Sequence, residues 1–539
     1  MATKHLPSFF CLTAVFWLAV AAVNPLGDFP LNDDFSYGRS VYNLSERGIF
    51  LFDDWLGMPL LTQVIWGALF TKVFGFSFTV LRFSTLVSAW LGGWLVYLTL
   101  HDLEVPPRTA LFSALLVVFN PLFFSLSFTF MTDVPFFAFA AAGIFCYHRY
   151  LRMRRGGYLA AAMLLTVAAT LIRQIGFMLP LAFIPAYLLA NPKRVRHVIA
   201  ALLPLAVTTA TYLLFKGWFA ANQGLPDNFD GIGRLTRRID ADFPAACLMR
   251  IGQLINHLGF YLLPLLLAAS SWRAFVERLR SFSRWRLVGI GSVSLLLFLA
   301  LWQANANVFG GNILYQVGLG PPLLKDGAYF INLPNRGAAL GYFFRALFFL
   351  GGLLLILQLV PALFRGFRFT AARRPVFIFA VSAILLYGGF LLLELFFFDR
   401  YFIQLLLFLP VIYCMVVDCR EIRITVPAIV AALALAAFSI TCTHDYLAWQ
   451  RAKTAGIEYL RTELDVPVSH IDGGFAFNGW HRRPDQPRFA AGKSDWWIDR
   501  DDYAVTFGPV GGYEKIGVIP YLRWFPPRQD SIWVQLRVE

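Results

Sequence analysis

Hydrophobic runs separated by short polar breaks fill most of this chain. They fall near residues 7–24, 77–100, 109–127, 134–151, 158–172, 175–190, 197–215, 250–270, 287–304, 338–363, 376–397, 401–418 and 424–442. About 20 apolar residues in a helix cross a hydrocarbon core, so the pattern predicts an α-helical polytopic membrane protein of about 13 transmembrane helices. Phe9 to Val23 reads as a retained first helix and not a cleaved leader, because no small-residue cleavage site follows it. Two stretches depart from the pattern. In residues 25–76, Asp34 to Phe50 and Leu60 to Phe74 mix apolar and polar residues at helical spacing. That suits amphipathic helices on a membrane surface, with an ordinary loop as the other reading. Residues 443–539 hold no spanning run: Asp445 to Leu464 reads as a helix, and Tyr503 to Phe507 and Ile532 to Leu536 as short strands. The chain thus divides into a transmembrane domain, 1–442, and a small α/β domain, 443–539, large enough for a modest core. No internal repeat is visible.

Charge gives the runs an orientation. Lys and Arg gather in short breaks: Arg152 to Arg155, Lys193 to Arg196, Arg273 to Arg286, and Arg365 to Arg374. An N-terminus inside the cell puts all four on the cytoplasmic side, as the positive-inside rule expects. The loops 25–76, 216–249 and 305–337 and the C-terminal domain then lie outside. This points to a multi-pass protein of the cytoplasmic (inner) membrane with an extracytoplasmic C-terminal domain. The net charge of +14 thereby has a membrane origin, and no nucleic-acid partner is expected. Composition agrees: 58% hydrophobic residues and 14% charged, against about a quarter charged in soluble domains.

Several chemistries find no pattern here. The six cysteines form no CxxC pair, and the eight histidines form no HExxH motif, so neither a disulfide framework nor a metal site is indicated. His444 and His470 read as ordinary residues of the tail. Gly310-Gly311-Asn312 and Gly318-Leu319-Gly320-Pro321-Pro322 form turns, without the strand and Gly-Lys-Ser/Thr of a nucleotide loop.

The polar residues that remain at the outer edge carry the candidate chemistry. Asp33 and Asp34 stand in Pro30-Leu31-Asn32-Asp33-Asp34-Phe35-Ser36-Tyr37, just beyond the first run. Two like charges this close resist ionising together, and a carboxylate there can take a proton from a hydroxyl or amine. Capping of a helix that starts near Phe35 is the competing use. Asp133, in Thr132-Asp133-Val134-Pro135, opens the fourth run on the same side and is open to the same two readings. Among the outer basic residues, Arg173 interrupts an apolar stretch, and Arg400 enters a late run in Phe398-Asp399-Arg400-Tyr401. Such guanidiniums can bind a phosphate bidentately, or they can snorkel or pair with a neighbour such as Asp399. Arg39, Arg47, Arg82, Lys216, Arg234, Arg237, Arg238, Arg250, Lys325 and Arg336 share the outer loops.

These features resemble the GT-C superfamily of membrane glycosyltransferases, in the protein O-mannosyltransferase-like branch that includes the lipid A aminoarabinose transferases. Asp33-Asp34 followed by Tyr37 looks like the acidic pair that opens the family's first outer loop. Phe74-Gly75 and Leu81-Arg82 look like the segment that follows, and Arg400-Tyr401 like its late Arg-Tyr motif. The resemblance implies an inverting glycosyltransferase with an active site outside the membrane. It would use a polyprenyl-phosphate-linked hexose or pentose as donor and a lipid, glycan or protein as acceptor. Asp33 would activate the acceptor, Asp34 and Asp133 would position hydroxyls, and Tyr37 and Tyr401 would line the substrates. Arg400, Arg173 or Arg82 would hold the donor phosphate. No nucleotide sugar is implied, and a divalent metal is compatible but not required. Two departures stand out. The family often carries a Lys-Pro-Pro triplet whose Lys reaches the donor phosphate, where this chain has Gly57-Met58-Pro59-Leu60; its late motif usually continues to a Pro, where this chain has Gln404. A transporter or flippase of a lipid-linked substrate is the rival class, but it predicts paired halves with broken helices at mid-membrane, which the pattern lacks.

Overall fold

The computed structural model describes residues 5–191, 194–226, 229, 243–268, 280, 283–303, 312–315, 318–319, 338–364, 373–394, 398–417, 422–483, 486 and 496–538. Arg234, Arg237, Arg238, Lys325 and Arg336 lie outside them, as do most of the glycine turns at 310–322. In chain order the first helices are α1 (Leu6–Val23), α2 (Asp34–Arg47), α3 (Leu61–Phe74), α4 (Phe78–Asp102), α5 (Pro107–Val118), α6 (Pro121–Ser127), α7 (Asp133–Met153), α8 (Gly156–Thr170), α9 (Met178–Leu188) and α10 (Val195–Gln223). They are followed by α11 (Phe243–Ala268), α12 (Arg284–Gln303), α13 (Ala338–Phe364), α14 (Arg374–Leu393), α15 (Leu409–Val416), α16 (Val426–Thr462) and α17 (Phe475–His481).

Each predicted apolar run falls on a helix or a bent helix pair, but the count of thirteen spans is not reached by length and composition. Among the described residues, seven helices are long and apolar enough to cross a membrane, or up to nine if each bent pair is one span. The bends have local causes. Between α5 and α6 the axis turns by 64°, because Pro121 lacks an N–H and Asn120 Oδ1 takes up the amides of Leu122 and Phe123 (3.0 and 3.3 Å). The run at 401–418 is a 3₁₀ turn, Asp399–Leu407, set at 48° to α15, which begins with a proline in its first turn.

One helix fixes the two ends of the bundle. Asp133 opens α7, and Arg149 and Arg152 near its other end pair with Asp102 of α4 (3.1 and 3.5 Å). The helix has 21 residues, about 30 Å at 1.5 Å per residue, so its two ends lie about one hydrocarbon core apart. Arg373 joins the basic end through the carbonyl of Leu103 (2.9 Å).

The boundary at 442 is not a break. A continuous α16 of 37 residues is about 55 Å long, so it can cross a bilayer and still project beyond it. Apart from the short antiparallel pair β1 (Leu314–Tyr315) and β2 (Gly318–Leu319), strands gather at its C-terminal half in a mixed four-stranded sheet, β3 (Ile471–Asp472), β4 (Tyr503–Thr506), β5 (Tyr513–Trp524) and β6 (Pro527–Arg537), in the order β3-β4-β6-β5. The sequence indicated β4 and β6 but not the long β5. The two helices of the first outer loop form where expected, yet they differ. α3 leaves Ile65, Leu69, Val73 and Phe74 exposed, a stripe at helical spacing suited to lipid. α2 is instead largely buried, with α17 packed over it.

The tightest crossing joins α11 to α13. A Cβ on Gly259 would lie 2.2 Å from the backbone of Gly351 and Gly352, and one on Gly351 would lie 2.4 Å from Gly259. Backbones that touch leave no side chain to yield, and small residues make such crossings possible in a membrane. Gly289 of α12 has open space around it. Gly259→Ala is therefore expected to lower the apparent Tm of the detergent-solubilised protein, at a cost of about 1–3 kcal/mol, while Gly289→Ala leaves it unchanged or higher. Equal behaviour of the two variants would refute the crossing.

Candidate active site

The site forms where the first outer loop meets the N-terminal end of α7 and the turn at 399–407. Asn32 turns the chain with φ 54° and delivers the two acids to different environments. Asp33 takes the N-cap position of α2 but makes no capping hydrogen bond. Its Oδ1 accepts from Trp55 Nε1 (3.0 Å), and its Oδ2 lies 3.8 Å from Arg400 Nη1. The side chain keeps 21% exposure, enough for a substrate to reach it. Asp34, 2% exposed, accepts the amides of Phe130 (2.9 Å) and Leu31 (3.3 Å). It ties the start of α2 to the segment that leads into α7. Burial is the main cause that carries its carboxyl up to about 8, against the pull of these amides and of Arg82; the charge of Asp33 is the smallest contributor. The expected mutual repulsion of the pair is thus a minor part of the effect.

Asp133 is also not a cap: it is the first residue of α7, and Thr132 holds the N-cap position. Its buried Oδ1 pairs with Arg173 Nη1, which also reaches Thr132 Oγ1 (3.4 Å). Arg173 stands in extended backbone just after α8. Tyr401 lies between the two cations, with the Arg173 and Arg400 guanidiniums each 5.6 Å from its ring centre. Tyr37 donates to the Met58 sulfur (3.9 Å) and feels Asp33, Arg400, Arg173 and Asp133 together, while burial pushes its hydroxyl well above its usual range. Asp33, Asp133, Arg173, Arg400, Tyr37 and Tyr401 therefore form one cluster. Within it, Arg400 Nε and Asp133 Oδ2 are buried without a hydrogen-bond partner among the described residues, an uncommon state for groups of this kind.

Arg82 does not join that cluster. It is 1% exposed, and its guanidinium donates to the carbonyls of Phe128 (2.8 Å), Pro25 (2.5 Å), Gly27 (3.0 Å) and Phe29 (3.2 Å). These bonds occupy the fork a phosphate would need, so Arg82 braces the first loop. Nor does Arg400 pair with Asp399, whose carboxylate accepts the amides of Ile313, Leu314 and Arg400 itself. No group of three or more metal-ligating side chains occurs among the described residues.

Residues 59–218 match the model of the family described as dolichyl-phosphate-mannose-protein mannosyltransferase. That match covers under a third of the chain, from the end of the first loop to α10. Among solved structures, the chain is similar to the S. cerevisiae protein O-mannosyltransferase Pmt1-Pmt2 complex bound to the sugar donor, at 20% identity and TM-score 0.34, covering 41% of this chain and 34% of that one. It is also similar to ArnT from Cupriavidus metallidurans bound to undecaprenyl phosphate, at 12% identity and TM-score 0.43, covering 99% and 98%. A third is the archaeal oligosaccharyltransferase AglB from Archaeoglobus fulgidus, at 17% identity and TM-score 0.43, covering 87% and 58%. The chain spans about a third (34%) of the length of the yeast protein. No curated protein matches it in sequence.

Both departures from the family pattern fall inside the site. The carbonyl of Gly57, beside Met58, lies 3.4 Å from Gln174 Nε2, so the segment lacking a Lys abuts the neighbour of Arg173. Gln404 donates to the carbonyl of Asp133 (3.2 Å), a bond a proline cannot make. Sequence reasoning passed over Trp55, the one side chain hydrogen-bonded to Asp33 among the described residues. Only its place in the same loop could have signalled it.

Asp34 supplies a test of the loop. Its folded carboxyl holds a proton that an unfolded chain has released, so its contribution to stability is full below about pH 4 and is lost as pH rises through about 8. The apparent Tm of the parent relative to Asp34→Asn, whose amide does not titrate, is expected to fall between pH 5 and 9. A constant difference would count against a proton held on Asp34.

Proposed function

We propose that the protein is an inverting glycosyltransferase that moves a hexose or pentose from a polyprenyl-phosphate-linked donor to a lipid, glycan or protein acceptor at the outer face of the cytoplasmic membrane. The observation that carries this reading is the reachable Asp33 carboxylate held beside an Arg400 whose Nε has no hydrogen-bond partner among the described residues. A lone reachable base and an incompletely satisfied cation suit a reaction in which one end of the site removes a proton and the other receives a phosphate. The family description supports a polyprenyl-type phosphate on the donor.

Asp33 takes the proton of the acceptor hydroxyl or amine as that atom attacks the anomeric carbon. The bond from that carbon to the phosphate oxygen breaks on the opposite face, and the lipid phosphate departs with the electron pair. Arg400 stabilises the departing charge, the electrostatic contribution that usually dominates such steps. Arg173 adds to it from the side where related chains place a Lys, and Asp133 holds Arg173 in place. Tyr401 spaces the two guanidiniums, and Tyr37 closes the floor between acceptor and donor. Asp34 and Arg82 keep the loop in position. The basic end of α7, about 30 Å away, supports a cytoplasmic placement of that end and an external site.

Asp33→Asn is expected to lower transfer from a polyprenyl-phosphate sugar in isolated membranes by about 10²- to 10⁴-fold, and Arg400→Ala by about 10²-fold with partial recovery in Arg400→Lys. Full activity in Asp33→Asn would remove it from the base role. Movement of the lipid-linked sugar between leaflets with its glycosidic bond intact would identify a transporter.

A further inference from the structure

The C-terminal domain reaches Asp33 through a chain of hydrogen bonds. Arg482, just after α17, has an 8% exposed side chain; its Nη2 lies 2.7 Å from Asp53 Oδ1 and also binds Asp54 Oδ1. Asp53 is 2% exposed. Its Oδ2 pairs with Arg39 Nη1 (2.9 Å), and Arg39 Nη2 donates to the carbonyls of Gly479 (2.8 Å) and Trp480 (2.6 Å) at the end of α17. The same Asp53 Oδ1 that receives Arg482 accepts the backbone amide of Trp55 (3.0 Å), and Trp55 Nε1 donates to Asp33 Oδ1 (3.0 Å). The indole is held edge-on by Trp497 (5.1 Å) and Phe475 (5.9 Å), and the Arg482 guanidinium lies 4.8 Å from the Trp497 ring centre. Both the backbone and the ring of Trp55 are thus set by residues that follow α16.

The geometry points to Arg482 as a positioning residue: through Asp53 and Trp55, the C-terminal domain fixes the direction of the Asp33 carboxylate. This rests on the reading of Asp33 as the base. Trp55 fixes one carboxylate oxygen and leaves Oδ2, on the side of Arg400, for the acceptor proton. A base must stand within hydrogen-bond reach of the proton it takes, and displacement by about 1 Å can cost about 10²-fold in rate. Asp53 is buried between two guanidiniums, so loss of either leaves a carboxylate less well compensated and its loop free to shift. If Arg482 were only a clamp between domains, its removal would lower the amount of folded enzyme without acting through Trp55.

The test is a double-mutant cycle in the full-length enzyme, with kcat and KM measured per folded molecule on a polyprenyl-phosphate sugar and an established acceptor. Trp55→Phe and Arg482→Ala are each expected to lower kcat about 10-fold with KM for the donor unchanged. Arg482→Lys is expected within about threefold of the parent, since the charge still reaches Asp53. The double variant is expected to be no slower than the slower single one, because both act on the same contact. Losses that multiply, or a parental kcat in Trp55→Phe, would overturn the inference; the second result holds even if Arg482→Ala fails to fold, because Phe keeps the ring packing. Asp33→Asn is measured alongside: if it stays active the base reading fails, whereas an inactive Asp33→Asn with multiplying losses removes only the positioning role.

Discussion

Charge balance at the rim of a membrane bundle is the constraint on which the site depends. Asp133 is fully buried, and its pairing with Arg173 is what allows an acid to open a helix inside the bundle. Removing one member of such a pair leaves an uncompensated buried charge, at a cost of about 3–5 kcal/mol. The second pair is looser. Arg400 and Asp33 stand 3.8 Å apart and both keep some exposure. The tight pair sets the geometry, and the loose one leaves a carboxylate and a guanidinium partly accessible. A site built from two tight pairs would be stable and closed to chemistry; two loose pairs would not hold position.

The loop of residues 25–76 is what brings these charges together, and it is anchored at four places. Arg82 gathers its carbonyls from below, and Asp34 binds it to Phe130 at the approach to α7. The start of α3 hydrogen-bonds to the end of α8 through Leu60 and Ile172 (3.3 Å), one residue before Arg173. From the outer side, Arg39 and Arg482 fasten it to the C-terminal domain. A loop this long would otherwise sample many conformations, and each anchor removes part of that freedom.

The sequence made the architecture legible because apolar length is a strong signal. Every run found a helix, and Arg149, Arg152 and Arg373 lie at the far end of α7 from Asp133. Local composition could not say which helices are cut short. The bends at Asn120-Pro121 and before Leu409 arise from backbone groups that a hydropathy pattern averages away. For the site, residue type and outer placement brought Asp33, Asp133, Arg173 and Arg400 onto the page before their contacts were known. Arg82 looked equivalent to them by the same criteria. What separates it is the set of carbonyls around it, drawn from residues 25–29 and 128, and no spacing within the chain announces that convergence. Trp55 was missed for the converse reason: a tryptophan in an amphipathic loop is ordinary until its N–H is seen on a carboxylate.

The contrast between Arg82 and Arg400 carries the argument one step further. Both are guanidiniums near the outer end of the bundle, and both are largely enclosed. Arg82 has its donors directed at backbone carbonyls, which is why it can be almost fully buried and structural. Among the described residues Arg400 Nε has no partner and its nearest carboxylate pairing is long, at 3.8 Å, which is costly unless another group completes its shell. A phosphate oxygen there would satisfy the guanidinium and displace nothing that holds the fold. A ligand that completed that shell would leave the anchors around the first loop undisturbed. The arginine that builds the loop is thus a different one from the arginine whose guanidinium the fold leaves incompletely bonded, so ligand contact at the second need not strain the first.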